Sequence, residues 1–181
     1  MEALIVDVEN ELKFISKEID TLKRKRERIE NEKDAENIDS HIKAIALTLH
    51  SIYTGYEKIL EILIKGINGD IPTALDYHTA LLKRATYTIP DVRPEIISEE
   101  TYNLLNMLRA YRHKLRRIYT YLISPNKIIQ LTETAIKSFD LFDKDWNNLK
   151  KYLLKETVTK KPINTLKNKE KWWNFDQSNR R

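Results

Sequence analysis

Apolar residues in the N-terminal third recur at alternating steps of four and three. Val8, Leu12, Ile15, Ile19, Leu22 and Ile29 form one series, interrupted by Arg26. Ile38, Ile42, Ile45, Leu49, Ile52, Tyr56, Ile59 and Leu63 form a second, unbroken one. Such spacing keeps a stripe on one side of a helix and predicts two long amphipathic helices. Asp34 to Asn37 is the expected turn, with Asn37 or Asp39 capping the second helix. Two such helices on a short link pack antiparallel as a hairpin. An intermolecular coiled coil is the alternative.

The second helix is expected to end near Gly66 to Gly69. Ile71-Pro72 then opens a turn, and Thr73 is the expected cap of a short third helix reaching about Ala85. Pro90 and Pro94 predict an extended loop from Thr86 to Ser98. Ser98, followed by Glu-Glu-Thr, reads as the start of a fourth helix running to about Ile123. Ser124-Pro125 reads as the start of a fifth. That helix carries Ile128, Ile129, Leu131, Ile136, Phe139, Phe142, Trp146, Leu149 and Leu153, dense enough to pack on the fourth. Beyond about Glu156 the periodicity dissolves into a basic, polar stretch. The expected organisation is an all-α antiparallel bundle of about five helices with a long N-terminal helical hairpin over 1–155, and a tail over 156–181. In the tail, Trp172, Trp173 and Phe175 either dock a partner or stack on bases, or fold back onto the hairpin.

Composition sharpens this picture. Three glycines and five prolines in 181 residues leave little material for tight turns and favour long uninterrupted helices. The chain has no cysteine, which excludes disulfides and thiolate chemistry. Four histidines (His41, His50, His78 and His113) argue against a histidine-rich metal centre, so neither metal nor cofactor is expected. No run approaches the roughly 20 apolar residues of a membrane-spanning helix. Met1 to Asn10 lacks the basic-then-apolar order of a signal peptide. A cytoplasmic protein without a membrane partner is therefore expected. The net charge of +5 permits nucleic-acid binding without requiring it. The basic run Lys23 to Arg28 is either a solvated face near the hairpin tip or a stripe that tracks phosphates.

One segment carries concentrated chemistry. Residues 109 to 119 read Arg-Ala-Tyr-Arg-His-Lys-Leu-Arg-Arg-Ile-Tyr, on a helix whose apolar side is expected to hold Leu104, Leu105, Leu108, Leu115, Ile118 and Leu122. At about 100° per residue, Arg112, Arg116 and Tyr119 share a stripe, with His113 beside it in line with Arg109. Like charges one turn apart repel, so the cluster is unfavourable unless an anion or carboxylate meets it. RNA cleavage without a metal needs a base for the ribose 2′-OH, cations at the phosphorus and an acid for the leaving oxygen. Arg, His and Tyr on one surface meet those needs. Solvated basic residues and a core tyrosine are the plainer explanation of the same pattern.

Arg112-His113-Lys114-Leu115-Arg116-Arg117-Ile118-Tyr119 resembles the Arg-x4-His-x-Tyr motif of HepT toxins in the HEPN superfamily. The segments Ile52-Tyr53-Thr54-Gly55-Tyr56-Glu57-Lys58-Ile59, Tyr77-His78-Thr79-Ala80-Leu81-Leu82 and Val92-Arg93-Pro94 resemble further family segments in the same order. The likeness covers roughly residues 36 to 155. It implies a helical bundle that forms a homodimer, with two motif helices meeting in a positive cleft. It also implies a metal-independent endoribonuclease acting on RNA, with tRNA one candidate target. The implied partner is a minimal nucleotidyltransferase antitoxin (MntA-like) that adds AMP to the motif tyrosine. Carried over, Arg112 takes the phosphate-binding role and Tyr119 is the modified residue. Together with the cluster around them, the expected catalytic set is Arg112, His113, Arg117 and Tyr119, with Arg109 and Arg116 contacting RNA phosphate. Arg117 stands where the family has histidine, and arginine cannot act as a general base. Either His113 moves the proton, or Arg117 stabilises charge only, or the cleft binds RNA without cutting it. In that last case the chain is an inactive HEPN-fold RNA-binding or partner subunit. His78 either enters the site from the third helix or is a partly buried histidine with a hydrogen-bonding role.

Overall fold

The computed structural model describes residues 1–73, 76–115 and 124–159. It contains five helices: α1 (Glu2–Asn31), α2 (Ala35–Asn68), α3 (Tyr77–Ala85), α4 (Glu99–Leu115) and α5 (Pro125–Thr159). Among the described residues there is no strand, only an isolated antiparallel bridge between Ile89 and Arg93. The all-α bundle expected from the periodicity is the fold observed. No described helix is long and apolar enough to cross a membrane.

α1 and α2 form the expected hairpin within one chain, so the heptad stripe of α1 is satisfied without a second molecule. Ile5, Val8, Leu12, Ile15, Ile19 and Leu22 of α1 are all buried. Arg26, the interruption in that stripe, reaches Glu30 on its own helix at 3.2 Å and Glu133 on α5 at 3.0 Å. It therefore joins two helices through charge where an apolar residue would have joined them through packing. Arg24, also in the basic run Lys23 to Arg28, donates to Thr21 Oγ1 on an exposed face.

α2 is the central helix and touches each of the other four. This explains why it buries more than its heptad stripe. Ala46, Tyr53, Leu60 and Ile64 lie off that stripe and are buried as well. Tyr56 links α2 to α5 through the Phe142 ring, with centroids 4.9 Å apart, and through Ser138 Oγ at 3.3 Å.

Three helix boundaries differ from expectation. Asp34, rather than Asn37 or Asp39, caps α2, because its carboxylate accepts from the Asn37 N–H at 2.9 Å. α3 starts at Tyr77 and is capped by Asp76, not Thr73. The Asp76 carboxylate accepts from both the hydroxyl and the N–H of Thr79, and those bonds, with the Arg109 charge nearby, hold it below the usual carboxylate range. α5 continues to Thr159, a few residues past the predicted loss of pattern. The other ends agree. Gly69 closes α2 with a left-handed φ of 86°. Ser98 caps α4, its Oγ accepting from Thr101 N–H at 3.3 Å. Asp145 on α5 accepts from Ser98 N–H, Ser98 Oγ and Thr101 Oγ1, which pins the start of α4 to α5. The predicted continuation of α4 towards Ile123 and the aromatic tail lie outside the described residues.

The close approach of α1 and α2 rests on Gly55. A Cβ there would sit 2.7 Å from Ile15 Cγ1, the branch of a buried side chain with no room to retreat. At Gly66 a Cβ would sit 2.1 Å from the Cδ1 methyl of Leu4, the end of a half-buried, flexible side chain at the start of α1 that can rotate aside. Gly55→Ala is therefore expected to destabilise the hairpin by about 1–3 kcal/mol, overpacking outweighing the gain in helix propensity. Gly66→Ala is expected to be neutral or to stabilise by up to about 1 kcal/mol. Parallel thermal melts check this; the reverse order would mean that the helices are not in tight contact at Ile15.

Candidate functional site

The loop between α3 and α4 sets where those helices sit. Asp91 adopts a left-handed φ of 59° in a tight reversal, and Ile89 and Arg93 exchange backbone hydrogen bonds across it at 2.9 and 3.0 Å. Arg93 is 1% exposed. Its guanidinium donates to Asn68 Oδ1 and to the carbonyls of Tyr87, Pro94 and Arg84, all at 2.7–3.0 Å. Burial, with the Arg84 charge alongside, draws it below the ordinary guanidinium range. Its role is architectural: it fastens the end of α2, the end of α3 and the approach to α4 together.

The three helices so fastened converge on one buried carboxylate. Glu57, on α2, is 6% exposed among Tyr53, Tyr56 and Leu60. One of its oxygens, Oε2, lies 3.1 Å from Arg112 Nη1 of α4. The other, Oε1, is in ion-pair contact with Nδ1 of His78 on α3. Neither Oε1 nor Nδ1 has an aligned hydrogen bond, so this contact is one of charge and proximity. The Arg112 guanidinium also lies 5.7 Å from the Tyr53 ring centroid, and its side chain is 16% exposed. Arg112 Nε is buried without a hydrogen-bond partner, as is the Tyr53 hydroxyl. Burial first, and then the Glu57 charge, push the Tyr53 phenol well above its ordinary range, so it stays protonated.

Around this centre lies a second layer. Tyr77 donates to Glu61 Oε1 at 2.7 Å and packs edge-on against the His78 ring at 5.6 Å. Arg109, one turn before the motif, donates to Asn106 Oδ1 at 2.9 Å and lies 3.8 Å from the Asp76 carboxylate. His113 is exposed on α4. Arg116, Arg117 and Tyr119 lie outside the described residues.

Two of the clustered basic residues of α4 thus meet carboxylates from the chain itself: Arg112 meets Glu57 and Arg109 meets Asp76. The structure brings Arg112 together with Glu57, Tyr53 and His78. Of these, Glu57 and Tyr53 are absent from the site expected from sequence. The available signal was a lone carboxylate on the apolar face formed by Tyr53, Leu60 and Ile64, at positions i, i+7 and i+11, with Glu57 at i+4 on that same face.

The five helices and the site they enclose place the protein among all-α helical bundles. More narrowly, the chain belongs to the HepT-like family: the family model described as HepT-like protein matches residues 44–153. The match runs from within α2 nearly to the end of α5 and contains every residue named in the site. No curated protein and no solved structure matches the chain.

Proposed function

We propose that this HepT-like protein is the toxin of a toxin–antitoxin pair, an endoribonuclease that works in the cytoplasm as a homodimer. The ends of two α4 helices flank the RNA in this reading, and a minimal nucleotidyltransferase antitoxin restrains it by adding AMP to Tyr119. The observation that carries it is the fixing of Arg112, the first residue of the motif, on the buried Glu57 carboxylate. A guanidinium held in one orientation, with part of its surface open, is suited to meet a phosphodiester without reorganising at the moment of reaction. Arg109 and Arg116 add phosphate contacts, and family membership supports the rest.

Expression without an antitoxin is expected to arrest growth. The purified protein is expected to cut RNA, tRNA among the substrates, in the presence of EDTA. Arg112→Ala is expected to lower the cleavage rate by roughly 10²–10³, the usual effect of removing one transition-state cation or donor. Arg112→Lys should recover little, because an ammonium cannot use the same fork of donors. Full toxicity in Arg112→Ala would refute the reading.

Two observations favour a second reading, a HEPN-fold subunit that binds RNA or its partner without cutting. Arg117 holds the position of the motif histidine, and the Arg112 charge is already countered by Glu57. Purified protein that retains RNA on a filter and leaves it intact over hours would select this alternative.

A further inference from the structure

Resting on the ribonuclease reading, we propose that His78, held by Glu57, is the proton-transfer group of the site and replaces the histidine that Arg117 displaces. The fold places Arg112 and His78 on the two oxygens of a single carboxylate. Nδ1 of His78 is the buried nitrogen that faces Glu57, yet the side chain as a whole is 39% exposed. With Nδ1 buried, the second nitrogen is the one ring nitrogen left to meet a substrate. A buried carboxylate beside one imidazole nitrogen favours the proton on that nitrogen and leaves the other as the acceptor, the division of roles seen in hydrolytic dyads. A positioned side chain that transfers a proton in the transition state typically contributes 10²–10⁴ in rate.

The groups facing His78 suit this role. From α2 come Glu57 and, across the Tyr77 ring, Glu61. From its own helix end come Asp76 and Tyr77. From α4 come Arg112, on the shared carboxylate, and Arg109, beside Asp76. The two arginines supply the positive charge for a phosphate. No described element other than α2 and α4 packs closely on α3.

The step balances without a co-reactant. The free ring nitrogen takes the proton of the ribose 2′-OH as that oxygen bonds to phosphorus. The bond from phosphorus to the 5′-oxygen breaks, and the imidazolium returns the proton to the leaving oxygen. The products are a 2′,3′-cyclic phosphate and a 5′-hydroxyl.

The test compares full-length wild type with His78→Gln and His113→Gln, using a fluorogenic oligoribonucleotide from acid to alkaline pH, with binding and melting measured alongside. The expected result is at least a 100-fold loss of cleavage in His78→Gln, disappearance of the acid limb of the pH–rate profile, and RNA affinity within about threefold of wild type. Should His78→Gln cut at the wild-type rate while His113→Gln does not, the assignment to His78 fails and the ribonuclease reading stands. Should wild type leave RNA intact, both fail. His78→Asn, measured in parallel, guards against a folding defect: an equal loss in two variants with wild-type melting assigns the effect to chemistry, and recovery of activity in the shorter amide assigns it to packing and overturns the proposal.

Discussion

Replacing Arg93 by alanine is expected to lower global stability by more than about 4 kcal/mol and to cost function at a distance. The side chain is 1% exposed and satisfies four oxygens, three of them backbone carbonyls. Each acceptor left buried and unpaired costs about 1–3 kcal/mol, and several are lost together. Mutations of that size belong to the small class that breaks a buried network. For a chain of this length the melting temperature should fall by roughly 10 °C or more. Arg93→Lys should rescue less than half of the loss, since one ammonium has three donors on a single atom and cannot span acceptors on α2, α3 and the loop. Because the same loop sets the positions of His78 and Arg112, RNA cleavage should fall in Arg93→Lys even at temperatures where it remains folded. A melting temperature in Arg93→Ala within 3 °C of wild type would show that the loop holds its shape without this guanidinium.

The second large effect is expected at Glu57. Removing one member of a buried ion pair strands the other, at about 3–5 kcal/mol. Glu57→Leu leaves the Arg112 guanidinium against Tyr53 with its nearest carboxylate gone, and should be destabilised by about that amount. The double variant Glu57→Leu, Arg112→Leu should recover most of the stability, because apolar groups of similar volume replace a buried pair at little net cost. Neither variant should cleave RNA. Urea titration of wild type, both singles and the double gives the coupling energy directly. A coupling below about 0.5 kcal/mol would place this pair with solvent-screened surface ion pairs and remove Glu57 as the organiser of the site.

Glu57 and Arg112 also divide what was legible from what was not. The Arg-His-Lys-Leu-Arg-Arg-Ile-Tyr segment is visible in the chain because its pieces are contiguous, and helical periodicity alone predicts which of them share a stripe. The carboxylate that receives Arg112 lies 55 positions earlier, on a helix whose heptads gave no reason to single it out. Arg93 was visible as an Arg-Pro pair in a loop, but its four acceptors come from three separate segments, so its structural weight was not. Asp34 and Asp76 show the same division on a smaller scale. Several nearby polar residues can each cap a helix, and local sequence does not choose among them when their propensities are similar.

Sequence by itself determined the helices: roughly where they run, which side of each is apolar, and that one short segment carries the basic and proton-active groups. Those properties depend on neighbours within a turn or two, where repeat and propensity act directly. Tertiary structure alone decided that α2 would be covered on several sides, that Arg93 would fasten three segments, and that α2, α3 and α4 would bring Glu57, His78 and Arg112 onto one another. The physical reason is that an ion pair between distant segments exists only after packing has removed water from between them, and no spacing rule along the chain records that.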